Sequence, residues 1–294
     1  MTVETITGTS HPSQAPGQGK KKRDSLLPVW SARPTLYLAA LGVWFGLAEI
    51  RPRVPGPWAV LKFIYLELTG GSHGGVLKGI WIPHVIVTLE RFAIGLVISI
   101  VLGVAVGVLI GSWRYFHALL NDTLLVFLAL PAVIWAFITV IWFGLGTQAP
   151  VWTTVLTAFP FVAVNVTHGV QAVTSDLHLM SDAFGIKFTK RLRHLILPAI
   201  TGYFFAGVRF AVIVGWNGIL LAEWFGSADG VGWRMRYWYD AVRYQGFVGW
   251  ILLVVIFIVV VDQLVLAPLE KRAFRWRDIH RQEVKMEAQP EAGA

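Results

Sequence analysis

The chain has no cysteine, which excludes a disulfide framework and any thiolate metal site. It is also poor in charge. Asp, Glu, Lys and Arg make up 14% of its 294 residues, against about 25% in soluble domains. Acidic residues are scarcer than basic ones, 17 against 25, for a formal net charge of +8. In a chain that is 55% hydrophobic, such an excess of Lys and Arg sets orientation across a bilayer and does not argue for nucleic-acid binding. Catalytic signatures are absent too. There is no Gly-x4-Gly-Lys-Ser/Thr phosphate loop, no Gly-x-Ser-x-Gly elbow and no His-Glu-x-x-His helix. The polar connections are too short for a nucleotide-binding domain, so the chain is not expected to be an enzyme. His84, His168 and His194 have no helix-spaced partners, so no metal site is expected.

What the sequence does have is apolar runs long enough to cross about 30 Å of hydrocarbon. Six spans are predicted: Thr35–Ile50, Ile82–Ile110, Leu119–Phe143, Val151–Val173, Ala199–Phe225 and Phe247–Ala267. With the N-terminus inside, the inner segments hold 16 basic residues and the outer ones 7. Both termini are therefore expected in the cytoplasm. Residues 1–34 are polar and carry the cluster Lys20-Lys21-Lys22-Arg23; they read as a disordered tail, with the cluster serving topology or anionic lipid. Residues 35–270 form the membrane domain and 271–294 a second cytoplasmic tail. Between the first two spans, Pro52, Pro55 and Pro57 interrupt any helix. The stretch Trp58 to Leu66 is expected to lie as a short helix along the outer interface.

Two spans carry unusual side chains. In span two, Gly95, Ser99, Gly103, Gly107 and Gly111 recur every four residues and make one stripe of small side chains. Such a stripe admits a close neighbouring helix, either as fixed packing or as a sliding interface. In span five, Arg209, Trp216 and Glu223 are seven apart and share a face, with Asn217 beside them. A charge within the bilayer costs about 2.5–3.5 kcal/mol on insertion scales, so Arg209 must face protein or water. These four are candidate lining residues of a path, with an interhelical polar clamp as the alternative. Arg91 in span two can snorkel outward or pair with a carboxylate.

The longest expected cytoplasmic connection, residues 175–198, reads Ser-Asp-Leu-His-Leu-Met-Ser-Asp-Ala-Phe-Gly-Ile-Lys-Phe-Thr-Lys-Arg-Leu-Arg-His-Leu-Ile-Leu-Pro. Ser175 or Asp176 can cap a helix, Gly185 can end it in a left-handed conformation, and Lys187–His194 can form a second, basic helix. Leu195-Ile-Leu-Pro198 then turns the chain back into the bilayer.

The pattern Gly185-x9-Leu195-x-Leu197-Pro198 resembles the cytoplasmic loop of permease subunits of bacterial ATP-binding-cassette importers. Further stretches share the resemblance: Thr88-Leu-Glu-Arg91, Pro131 followed by Ile141-Trp-Phe-Gly-Leu-Gly146, Ala206-Gly-Val-Arg209, Leu221-Ala-Glu223 and Gly230-Val-Gly232. The branch resembled is that of nitrate, sulfonate and taurine permeases. The resemblance implies an all-α integral membrane protein with six transmembrane helices of the type I importer kind, in a bacterial inner membrane. It implies a second permease copy, identical or paralogous, separate cytoplasmic ATPase subunits that bind the ATP, and an extracytoplasmic substrate-binding protein. By this resemblance, Leu179, Met180, Ser181, Asp182, Phe184, Gly185, Leu195, Leu197 and Pro198 form the ATPase-coupling loop. The chain departs from the family at Leu179-Met180-Ser181, where Glu-Ala-Ala is usual, and at Gly202, where proline is usual. A self-contained secondary carrier or channel using Arg209, Glu90 and Asp262 is the competing expectation.

Overall fold

The computed structural model describes residues 29–69, 81–173, 180–181 and 183–269. Every regular element among them is helical, in the order α1 (Val29–Ile50), α2 (Pro57–Thr69), α3 (Trp81–Ser112), α4 (Arg114–Ala129), α5 (Ala132–Phe143), α6 (Gln148–Gln171), α7 (Phe188–Arg191), α8 (Leu197–Gly226), α9 (Val231–Asp240) and α10 (Tyr244–Val261). Residues up to Leu47 form one compact unit and those from Ala48 a second. The first unit holds most of α1, an apolar helix with Pro34 in its second turn.

In the second unit, α6 lies between α3 and α8 and is the most enclosed helix. Its contact with α3 is built on the small-residue stripe. A Cβ on Gly103 would meet Val162, one on Gly107 would meet Val166 and the Ala163 carbonyl, and one on Gly111 would meet Val170. The hydroxyls of Thr153, Thr154 and Thr157 donate to carbonyls four residues back, at 2.8, 3.0 and 2.7 Å. That satisfies them inside an apolar core. A larger side chain on the stripe must force the helices apart. Gly107→Leu is therefore expected to lower stability by about 1–3 kcal/mol or more, read as the thermal unfolding midpoint in detergent.

Among the described residues, four helices are long and apolar enough to cross a membrane, and α4 with α5 adds a bent pair. This corrects the third expected span. The run Leu119–Phe143 is not one helix, because α4 and α5 meet at 100°. Pro131 explains the break: it has no N–H to donate, and it pushes Leu130 into an extended conformation, φ −75° and ψ 124°. Uniform apolarity across the break hides it from a hydropathy reading.

The return of the chain after the 175–198 segment also differs from expectation. Leu195–Pro198 makes no turn. Instead Leu192–Ile196 forms a π-helical turn that joins α7 to α8 in one helical path. Pro198 is again the cause. Its ring crowds the carbonyl four residues back, and the wider turn lets the Leu197 N–H reach the Leu192 carbonyl. A second π-helical turn, Asp262–Leu266, follows α10 and stands just before Pro268. The expected interfacial helix is α2, which packs on α10.

Candidate functional site

Three features lie at different heights of the second unit. One is a sealed polar knot where the α5–α6 and α8–α9 turns meet. Another is an open ion pair part-way down α8. The third is the short hairpin that leads into α7.

The knot begins with backbone geometry. Gly144, Gly146 and Gly230 have φ of +73°, +135° and +98°, which lets both turns fold tightly. The Gly146 N–H donates to the Gly226 carbonyl at 2.8 Å, tying the turns together. Gly230 leaves room for the Glu223 carboxylate, which a Cβ there would strike, and a Cβ on Gly232 would strike the Leu220 carbonyl and the Glu223 Cβ. Glu223, in the last turn of α8, is fully buried. It accepts hydrogen bonds from the Gly232 N–H at 3.0 Å and from Arg91 Nη1 at 3.1 Å, and both its oxygens lie 2.9 Å from the Thr88 hydroxyl. The same hydroxyl accepts from the Val231 N–H at 2.8 Å. Arg91 also donates to Asp229 Oδ1 at 2.6 Å and to Thr147 at 3.2 Å. His84 Nδ1 accepts from the Gly230 N–H at 3.0 Å, with its ring stacked on Trp233. Helices α3, α8 and α9 and the α5–α6 turn are thus pinned at one point by charge-assisted hydrogen bonds.

Lower on α8, Arg209 Nε donates to Asp262 Oδ1 at 3.0 Å. This pair is open: 41% of the Arg209 side chain and 33% of the Asp262 side chain are exposed, against 4% and 0% for Arg91 and Glu223. Arg209 and Asp262 border a groove of about 420 Å³ with Val212, Ile213, Ile258, Val259 and Gln263. Asn217 lies on the exposed face of α8, its amide donating to the Ile213 carbonyl at 3.1 Å. Trp216 does not reach that face. It is buried against Phe92 and Phe257, with ring centroids 5.1 and 4.5 Å away. The four span-five candidates therefore separate, with Arg209 and Asn217 at the surface and Trp216 and Glu223 enclosed.

In the hairpin, Gly185 has φ +59°, and the Ile186 N–H donates to the Ser181 carbonyl at 2.9 Å. This six-to-one bond around a left-handed glycine is a Schellman helix end. Ser181 is buried, while Met180 and Phe184 are 50% and 76% exposed. Leu195 is half-buried, and Leu197 and Pro198 are exposed. Leu179 and Asp182 lie outside the described residues.

Residues 99–272 match the family of binding-protein-dependent transport system inner membrane components. The chain belongs to this family. It is the permease component of an ATP-binding-cassette transport system, a multi-pass inner-membrane protein that is not itself the ATPase. The permease is 27% identical over 269 residues to the nitrate import permease protein NrtB of Synechocystis sp., covering 86% of this chain and 96% of the relative. It is 27% identical over 254 residues to SsuC of Bacillus subtilis, a permease named for aliphatic sulfonates transport, covering 83% and 86%. In fold it matches a chain from inward-facing conformations of the MetNI methionine ABC transporter, with TM-score 0.59 and 20% identity, covering 67% of the permease and 97% of that chain.

Most stretches that carried the family resemblance in sequence converge on the knot: Thr88 to Arg91, the turn ending at Gly146, Leu221 to Glu223, and Gly230 to Gly232. Sequence reasoning assembled the motifs but missed Asp229 and Thr147 as partners of Arg91, and did not join Arg91 to Glu223. A signal for that join was present. Both residues stand near the same ends of their predicted spans, and a charge at membrane depth needs a partner.

Proposed function

We propose that the permease forms, with a second identical or paralogous copy, the path by which a small solute such as nitrate, a sulfonate or taurine enters a bacterial cell. In this reading α1, α3, the bent pair α4–α5, α6, α8 and α10 each make one crossing, six in all. Residues 1–34, which include the first residues of α1, and 271–294 are cytoplasmic tails around the membrane domain 35–270, and α1 enters the bilayer from Thr35. The hairpin of segment 175–198 docks on a cytoplasmic ATPase that binds the ATP, and a binding protein delivers the solute at the opposite face, where the knot lies.

The observation that carries this reading is the open face shared by α8 and the turn that follows α10. Arg209, Asp262 and Asn217 stand exposed on the isolated chain, at a depth where charge against hydrocarbon is costly. That face must meet water or another protein, which is what one wall of a shared path requires. The exposed Met180 and Phe184 support docking at the hairpin.

Expression together with its neighbouring genes and purification in mild detergent tests the assembly. A nucleotide-binding subunit should co-purify, and uptake in proteoliposomes should require ATP. Uptake by the permease alone, driven by an ion gradient, would replace this reading with a secondary carrier. Arg209→Gln is expected to reduce solute uptake at least about tenfold, the order of a lost charge contact, with the complex intact. Unchanged uptake would make Arg209 a packing residue.

A further inference from the structure

The permease holds two arginine–carboxylate pairs of opposite character. Arg91 and Glu223 are sealed and cross-braced by backbone N–H groups, as a fixed joint would be. Arg209 and Asp262 are open to a groove whose walls are Val212, Ile213, Ile258 and Val259. Its volume, about 420 Å³, accommodates a solute of several heavy atoms together with water. The groove lies roughly 18 Å along α8 from Leu197 at 1.5 Å per residue, within the membrane-crossing part of the helix.

Asp262 is also set in unusual backbone. It is the first residue of the π-helical turn Asp262–Leu266, and such turns recur at functional positions because their hydrogen-bond ladder is less regular. Its Oδ1 accepts from Arg209 Nε at 3.0 Å, and its Oδ2 accepts from the neighbouring Gln263 amide at 3.5 Å. If the guanidinium turned to another anion, Asp262 would still have a donor beside it on its own helix.

We propose that this groove is an anion subsite in which the Asp262 carboxylate is the resident occupant. The anionic group of a passing solute replaces it on the Arg209 guanidinium, and the carboxylate returns when the solute leaves. The ligand class is a small oxyanion or a solute bearing one, because the planar donor set of arginine matches a carboxylate, sulfonate or nitrate edge. The tethered carboxylate competes at an effective concentration on the order of millimolar. It therefore keeps the subsite weak, and a path must release what it binds. Asp262 is on this view a specificity-determining residue. Its relevance to transport rests on the permease reading above, but the binding it describes does not.

Anion-dependent thermal unfolding of the purified permease in nanodiscs tests this, since a ligand that binds the folded state raises its apparent stability. Sodium nitrate and sodium methanesulfonate are the probes, with ionic strength held constant by sodium chloride, whose anion has no oxygen edge. Asp262→Asn is expected to lower the half-saturating nitrate or methanesulfonate concentration about tenfold, the scale of removing one close charge competitor. Asp262→Glu should respond like the unaltered chain and Arg209→Gln should not respond. The double variant R209Q/D262N, which removes both charges together, should unfold normally without an anion response, separating lost binding from lost folding. An equal response in all variants, or no tighter binding in Asp262→Asn, overturns the proposal. No ATPase or uptake step enters the measurement. Failure of an ATPase to co-purify would leave it standing, and ATP-driven uptake would survive its failure.

Discussion

Replacing Glu223 with alanine is expected to destabilise the permease by about 3–5 kcal/mol, the usual cost of removing one partner from a buried ion pair. The size reflects the groups left behind. Arg91 stays buried, with a 4% exposed side chain and the half-exposed Asp229 as its remaining charge partner. Thr88 and the Gly232 N–H lose an acceptor at the same time. Arg91→Leu should cost a comparable amount, because it strands a fully buried carboxylate. Glu223→Gln should fall between, since an amide oxygen can still accept from Gly232. The double variant R91L/E223A should lose clearly less than the sum of Arg91→Leu and Glu223→Ala, as coupled neighbours do. Unfolding midpoints of the four variants in one detergent decide the matter. Strict additivity would mean that Arg91 and Glu223 are held in place independently.

A second large effect is expected at Gly185, for a different reason. Among the described residues, none beyond its chain neighbours lies within 4 Å of a Cβ built there, so space around them does not limit substitution. The limit is conformational. At φ +59° a β-branched side chain costs roughly 1–2 kcal/mol, enough to shift a hairpin between two conformations by about 5–30-fold. Gly185→Val is therefore expected to cut ATP-dependent uptake by about 5–30-fold, the size of that shift, while the chain still accumulates in the membrane. Gly185→Asn should retain most uptake, because asparagine tolerates the left-handed region. Equal uptake by both variants would remove the bend from the coupling route. A parallel loss in both would point to contacts of the glycine itself.

The sequence disclosed the helices more readily than their joints. Runs such as Ile82–Ile110 and Ala199–Phe225 announce helices through apolar length alone, and α3 and α8 cover them. The kink before Pro131 arises from backbone sterics, yet continuous apolarity on both sides concealed it. The left-handed turn at Gly185 was legible because its cause is local. The knot was legible only as separate motifs, since Thr88 and Glu223 are 135 positions apart and one sequence carries no direct sign of their contact. Arg209 and Asp262 were each conspicuous as charges in apolar runs, but their pairing depends on how α8 and α10 pack. Trp216 shares a helix face with Arg209 by spacing. The adjoining helices close over it, which spacing cannot register.

Each π-helical turn carries one residue more along the helical path without changing the rotational phase of the segment beyond it. A π turn holds one residue more than an α turn, and each residue of an α-helix advances the side chains by about 100°. The wide turn at Leu192–Ile196 therefore takes up one residue between α7 and the faces of α8. Deleting a single residue there returns an α turn of the same phase, and its cost falls on Pro198, whose ring then meets the carbonyl four residues back. The same deletion within a regular turn of α8 has no such slack and swings the hairpin by about a quarter of a circle against the groove. The joint tolerates a change in residue count that the helix beyond it does not.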